Sequence, residues 1–331
     1  MDVFSKELVY KKGQKYKAYL LFGTTAVDVA TLGFTELIDI ETTKGTDYSS
    51  IPCRYVILNG KLFYSVNQKF RQVNNWTTWT YISGNYDNNS NALGIADGKL
   101  YRIYTSNEAA FTVTQIGNLT TWTKISGYDN SYRTYGITVD GKLYMCSGTS
   151  QSQVGTGSNW TDITGYSTGS SAFAYGIHSG RLSSIGGSNG TTVRSISSLT
   201  TWTKISGYSI GTLGIADGKL YKMTGSSQAT QIGDLTTWTK ISSGGVASSG
   251  YGIADGKLYK MSSSQTSQVG TLTNWTDISG FYGSPQCAYG IAGDKLYYLS
   301  SSSATQLLNS KCLAVFGAGS TNYPALAICE V

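Results

Sequence analysis

The stretch Gly94-Ile95-Ala96-Asp97-Gly98-Lys99-Leu100-Tyr101 recurs unchanged at Gly214–Tyr221 and Gly252–Tyr259. Variants stand at Gly136–Tyr144, Gly176–Leu182, Gly290–Tyr297 and, more loosely, Val56–Phe63. The isoleucine of the phrase falls at Ile57, Ile95, Ile137, Ile177, Ile215, Ile253 and Ile291, giving spacings of 38, 42, 40, 38, 38 and 38 residues. Self-similarity at such a period marks units that stack or close into a ring. Asp-Gly or Asn-Gly between two short apolar runs is a hairpin signal, because a type I′ turn needs positive φ at both central residues. Gly-Ile-Ala and Lys-Leu-Tyr are therefore antiparallel neighbours in one sheet.

Outward from that hairpin, each unit carries a run such as Thr230–Gly233 or Ser267–Gly270, and then a Trp-x-x-Ile phrase. The phrase occurs at Trp79/Ile82, Trp122/Ile125, Trp160/Ile163, Trp202/Ile205, Trp238/Ile241 and Trp275/Ile278. Four short strands per repeat, with no helical periodicity, predict the blades of an all-β β-propeller. A parallel β-helix is the rival, but its rungs are shorter and need no antiparallel hairpin in every repeat. The small Gly-Ile-Ala strand is expected innermost and the Trp strand at the outer edge.

Both ends continue the pattern. Ala325–Ile328 reads as a Gly-Ile-Ala strand with Leu313/Phe316 in the Trp/Ile place. Tyr16–Tyr19 reads as a Lys-Leu-Tyr strand, Val27–Val29 as the third strand and Phe34/Leu37 as the next Trp/Ile. One C-terminal and three N-terminal strands would make a composite closing blade that removes the open edge, giving eight blades. Seven blades with residues 1–50 as a separate attachment segment is the alternative. The expected propeller spans 16–331, with 16–40 and 325–329 in the closing blade and 1–15 as an N-terminal arm.

Composition agrees with strands and turns. Of 331 residues 13% are charged and 40 are glycine, while three prolines and 40% hydrophobic residues argue for a folded core over Pro-rich disorder. The formal charge of +6 is spread along the chain without a basic run, so no specific nucleic-acid partner is expected. No 18-residue apolar run and no signal-peptide pattern is present, so membrane insertion and ordinary export are not expected. The cysteines Cys53, Cys146, Cys287, Cys312 and Cys329 form an odd set without a C-x-x-C pair, so free thiols are expected in place of a disulfide framework or zinc site.

Catalytic chemistry has little to work with. The single histidine, His178, replaces the alanine of Gly-Ile-Ala and reads as a hydrogen-bonded turn residue. Aspartates mostly precede glycine, where a turn role accounts for them. Neither a phosphate loop nor a dinucleotide or calcium motif is present, so no enzyme, cofactor or metal is expected. Lys61, Lys99, Lys142, Arg181, Lys219, Lys257 and Lys295 should ring one face; a polyanion could use them, but four should pair with the adjacent turn aspartate. The repeat tryptophans suit blade packing better than sugar stacking, with Trp76, outside the register, the freer candidate.

The Trp-x-x-Ile-x-Gly phrase followed by Gly-Ile-x-x-Gly-Lys-Leu-Tyr, over roughly residues 50–300, resembles the repeat of regulator-of-chromosome-condensation propellers, and less closely tectonin repeats. Its glycine- and threonine-rich, proline-poor form is similar to repeats of bacteriophage tail-fibre and other virion proteins. The resemblance implies the fold and, weakly, a virion structural or receptor-recognition role, with location in the virion, or in the cytoplasm as the alternative. Comparing the repeats, the Asp-Gly turns are constant, whereas 85–91, 128–134, 166–173, 208–211 and 281–287 vary, as do 104–111 and 186–191. Variable loops on a rigid scaffold carry binding. The candidate contact residues are their aromatics, Tyr86, Tyr128, Tyr132, Tyr166, Phe173, Tyr208, Phe281 and Tyr282. Expected partners are other virion or assembly proteins through the N-terminal arm and the long Glu41–Cys53 loop, or a cell-surface glycan or receptor. A free lectin-like propeller is the alternative, and a signalling scaffold a further one.

Overall fold

The computed structural model describes residues 15–36, 38–39, 54–66, 69–84, 91–107, 110–126, 133–168, 171–187, 190–207, 212–224, 228–244, 249–262, 264–282, 287–300, 302–317 and 325–331. They form an eight-bladed β-propeller of antiparallel blades, seven with four strands and one, at 55–72, with three among the described residues. We number the blades along the chain: blade 1 at 55–72, blade 2 at 79–115, blade 3 at 122–153, blade 4 at 160–195, blade 5 at 202–231, blade 6 at 238–268, blade 7 at 275–308, and blade 8 from both ends.

The strand order within a blade corrects the sequence reading. Each Trp strand belongs to the same sheet as the Gly-Ile-Ala strand that follows it, so a blade runs Trp strand, Gly-Ile-Ala, Lys-Leu-Tyr, outer strand. Trp strands of successive blades pack against one another, whereas the fourth strands, such as Ser150–Gln153 and Thr192–Ser195, are largely exposed. The Trp strand is therefore innermost. Gly-Ile-Ala is small because it lies under an indole: a Cβ on Gly252 would sit 2.4 Å from Cζ3 of Trp238, and Gly94, Gly136, Gly176, Gly214 and Gly290 meet their tryptophans likewise. The tyrosine of Lys-Leu-Tyr covers the same indole, with Trp238 and Tyr259 ring centroids 5.4 Å apart.

The phase of the blade also changes the closure. Blade 8 takes two strands from each end, in the order Thr25–Asp28, Tyr16–Phe22, Ala325–Glu330, Cys312–Phe316, not one and three. Phe34 belongs instead with blade 1, where it packs edge-on against Phe63 at 5.4 Å, as a tryptophan does against its tyrosine elsewhere. Leu37 lies outside the described residues.

The alignment of the last Trp strand moves by one residue. Cys312, not Leu313, holds the Trp place, since its amide donates to Asp294 O as Trp275 N does to Gly256 O, and it pairs with Cys329 as Trp275 pairs with Ala292. Cys312 and Cys329 form a disulfide, which corrects the expectation of free thiols for these two. Being directly opposed on adjacent strands, where Cα atoms approach closely, they meet without moving the backbone. Cys146 is free and buried, and burial pushes its thiol up to about 12; Cys53 lies outside the described residues. The cross-link closes a sequence separation of 17 residues. Reduction, or Cys312→Ser with Cys329→Ser, is expected to lower stability by about 3 kcal/mol through loop entropy, read as a shift of the urea midpoint.

The Asp-Gly hairpin does more than turn. The carbonyls of Gly60, Gly98, Gly141, Gly180, Gly218 and Gly256 each accept the amide of the next blade's tryptophan, at 2.8–3.0 Å. A Cβ on Gly218 would lie 2.2 Å from Thr236 O in the connection to the next blade, whereas Gly270, at φ +65°, has nothing within 4 Å. Gly270→Ala should cost only the left-handed backbone penalty, about 1–2 kcal/mol. Gly218→Ala adds overpacking against backbone, about 1–3 kcal/mol more. Equal midpoints for the two variants in urea melts would show that the turn does not dock on the next blade.

Candidate functional site

Strand direction sets the two faces. The Asp-Gly turns and the connections between blades share one face. The Trp strand to Gly-Ile-Ala hairpins and the hairpins between third and fourth strands share the other. The described strands on either side of the inner variable stretches pair with each other within one blade, so these stretches join strands of a blade and are not crossovers between blades.

The candidate residues divide. Tyr86, Tyr128, Tyr132 and Tyr208 lie outside the described residues, as do residues 1–14 and the stretch 40–53 that includes Glu41–Cys53. Tyr166 and Phe173 are direct partners in blade 4, on a ribbon that continues to Thr168 opposite Ser171. Phe281 and Tyr282 end the first strand of blade 7, where Tyr282 pairs with Cys287 after an irregularity in register. The structure thus puts four of the eight on two inner hairpins of the same face.

Residues not singled out from sequence hold this face. Tyrosines that precede Gly-Ile reach the outer hairpin of the next blade: Tyr135 donates to Gly190 O at 2.8 Å, Tyr251 to Ser300 O at 2.6 Å and Tyr289 to Gly23 O at 3.0 Å. The last of these joins blade 7 to the N-terminal hairpin. Serines after the Trp-x-x-Ile isoleucine bond across blade boundaries, Ser83 to Ser126 O, Ser242 to Gly280 O and Ser279 to Gly317 O. The recurring Tyr-Gly-Ile and Ile-Ser pairs were the available signal.

Between the innermost strands sit two carboxylates. Asp162 accepts from Lys124 of blade 3 and from the Ile205 amide of blade 5 at 3.1 Å, as well as from its own Ile163 amide. Asp277 accepts from Lys240 of blade 6 at 2.6 Å and from the Val315 amide of blade 8 at 3.2 Å. Innermost strands have no further strand inside them, so their inward amides need other acceptors. The swap of Lys for Asp in Trp-Thr-Lys-Ile carried that information.

Other candidates resolve into packing. All six repeat tryptophans are buried, and Trp76 stacks on Trp79 at 5.6 Å and meets Tyr101 edge-on at 4.9 Å, in the place where Leu119, Leu199 and Leu235 stand in other repeats. His178 lies 5.2 Å from Trp160 in the one Trp-bearing blade where serine, Ser183, replaces the covering tyrosine. Its neighbour Gly157 leaves room, since a Cβ there would be 3.0 Å from His178 Nε2. Of the four lysines expected to pair with turn aspartates, only Lys142 does so among the described residues. That turn is one residue longer, which brings Asp140 beside Lys142; the ammonium and the Thr138 hydroxyl hold its carboxyl down at about 2. Among the described residues there is no cluster of His, Cys, Asp or Glu that could hold a metal and no helix long and apolar enough to cross a membrane.

No family model and no curated protein matches the chain. Solved propellers do match it in fold. The structure of Prp20p from Saccharomyces cerevisiae is 9% identical, covers 97% of this chain and 93% of its own, and has a TM-score of 0.54. A catalytically inactive virginiamycin B lyase from Staphylococcus aureus with quinupristin is 10% identical, with coverages of 96% and 100% and a TM-score of 0.51. YCF48 bound to D1 peptide is 9% identical, with coverages of 76% and 93% and a TM-score of 0.51. At such identities, and among proteins of such different use, the likeness establishes the β-propeller fold and nothing narrower.

Proposed function

We propose that this chain is a non-catalytic binding part of a larger assembly, a virion structural or receptor-recognition component, and that it engages its partner with the variable inner hairpins. The observation that carries the reading is the division of labour between the faces. On the Asp-Gly face the turn glycines give their carbonyls to the tryptophan amides of the neighbouring blade. On the other face the hairpin sequences vary, while tyrosine and serine side chains at the described bases of the hairpins bond to neighbouring blades. Rigid support beneath diversified loops is how binding surfaces are built on a fixed scaffold.

The test has two arms. Purified particles from the source should contain the chain by mass spectrometry; its consistent absence would sink the virion reading. The isolated propeller should compete with particles for the target surface, and Tyr128→Ala with Tyr166→Ala should abolish competition without moving the thermal transition. Saturable binding on a glycan array by the free chain, lost in that variant, would favour the lectin-like alternative.

A further inference from the structure

Each connection between blades runs beside the tryptophan of the blade it enters, and the connection residue five before that tryptophan faces the outer strand of the same blade. A Cβ on Gly233 would lie 3.7 Å from Thr266 Oγ1 and one on Gly155 3.8 Å from Val193 Cγ2, while one on Gly117 would run into the Gln151 carboxamide. The two positions therefore share one small space on the Asp-Gly side of the ring. At five of the six boundaries that carry a tryptophan, a side chain longer than alanine stands at one position or the other: Asn74, Gln151, Val193, Ser197 or Thr266. The boundary between blades 6 and 7 has Gly270 and Ala304, and a Cβ on Gly270 would meet nothing within 4 Å.

The chain's own side chains show which chemistry this space takes. Asn74 Oδ1 accepts the Trp79 indole N–H at 3.1 Å and the Trp76 amide at 3.3 Å. Two donors on one atom require that atom to be the carboxamide oxygen. Gln151, reaching in from the outer strand, accepts the Asn118 amide at 3.3 Å and donates to Ile116 O at 2.9 Å. A carboxamide thus serves twice, from opposite walls. Between blades 6 and 7 the corresponding donor is in place: Trp275 is 3% exposed, and its indole N–H meets no acceptor among the described residues. The indoles of Trp122, Trp160, Trp202 and Trp238 are also unpaired, but there the side chains just named stand at the space. Leu272, in the place of Trp76, is 36% exposed, whereas Leu119, Leu199 and Leu235 pack into their blade clusters. An acceptor reaching Trp275 would pair a buried donor, and Leu272 would give apolar contact at the mouth.

We propose that the boundary between blades 6 and 7 receives an asparagine or glutamine side chain of a neighbouring protein chain, its carboxamide oxygen on the Trp275 indole N–H and its flanking residues against Leu272. The ring supplies such a group from within at two other boundaries. This site lies on the face opposite the variable hairpins, so its failure leaves the recognition reading above untouched.

Indole spectra of the full chain labelled with 15N-tryptophan would be followed during titration with acetyl-Ala-Ala-Asn-Ala-Ala-amide, with the same peptide carrying leucine for asparagine, and with propionamide. The Trp275 signal should shift saturably with the asparagine peptide and not with the leucine peptide, and the Trp79 signal should stay unmoved because Asn74 already holds it. Ala304→Gln reproduces the arrangement of Gln151 and should weaken binding at least about tenfold while leaving the thermal midpoint unlowered. Should that variant not fold, Gly270→Asn, which places the carboxamide on the connection as Asn74 does, is expected to weaken binding likewise. Binding of the peptide about tenfold or more tighter than propionamide supports a protein chain as the source; equal affinities overturn that assignment. An unmoved Trp275 indole, an equal response to the leucine peptide, or an undiminished response in a folded variant overturns the site itself.

Discussion

Asp162→Ala is expected to lower the unfolding free energy by about 3–5 kcal/mol, because it leaves the Lys124 ammonium in a mostly buried place without its counter-ion. The Asp162 and Lys124 side chains are only 6% and 15% exposed, so solvent does little to screen the loss. Urea melts of the intact chain would read it as a lower midpoint at unchanged slope. An exposed charge without such partners among the described residues, such as Lys295, should cost no more than about 0.5 kcal/mol when replaced by alanine. The decisive comparison is Lys124→Met with Asp162→Leu. Were Asp162 only half of an ion pair, removing both charges would recover most of the loss. Because its carboxylate also accepts the Ile163 and Ile205 amides, the double variant should remain destabilised, by about 1–3 kcal/mol for each orphaned donor. Full recovery would show that the amides find other acceptors and that the carboxylate is not what seals the axial edge.

The same position shows where sequence reading succeeds and where it stops. The hairpin phrase carries its own geometry: Asp97, Asp217 and Asp255 have φ near +50°, as a type I′ turn demands, and blade count followed from spacing. Strand identity at both ends was equally legible, since Lys17-Ala18-Tyr19 pairs with Ala327-Ile328-Cys329 as Lys-Leu-Tyr pairs with Gly-Ile-Ala. What a repeat cannot carry is its phase. A cyclic pattern of four strands reads the same wherever the blade is cut, so the Trp strand was placed outermost and the closure counted as one and three. The ladder between each Trp strand and the Gly-Ile-Ala strand that follows it, which spacing alone does not reveal, decides the cut. The disulfide was hidden for a related reason: Cys312 and Cys329 stand in the Trp and Ala places of the repeat, and an alignment one residue off left them unrelated. Half of the candidate aromatics could be placed on hairpins by register alone; their grouping on one face follows from strand direction, which spacing does convey.

That substitution at the closing blade supplies a prediction about the other six. Where Cys312 replaces tryptophan, the glycine beneath it becomes Ala327. Trp238→Ala removes a buried indole packed on Tyr259 and Gly252 and is expected to cost about 3–5 kcal/mol. Gly252→Ala alone drives a methyl to 2.4 Å from Trp238 Cζ3, and overpacking of that kind costs about 1–3 kcal/mol. The two losses should not add. With the indole gone the methyl has space, as it has in blade 8, so the double variant should be no less stable than Trp238→Ala by itself. The interaction term of the cycle then equals the full cost of the glycine substitution, well outside the roughly 0.3–0.5 kcal/mol scatter of independent sites. Strict additivity would mean that Gly252 is required for its backbone and not for the ring above it, and the pairing of glycine with tryptophan in six blades would need another cause.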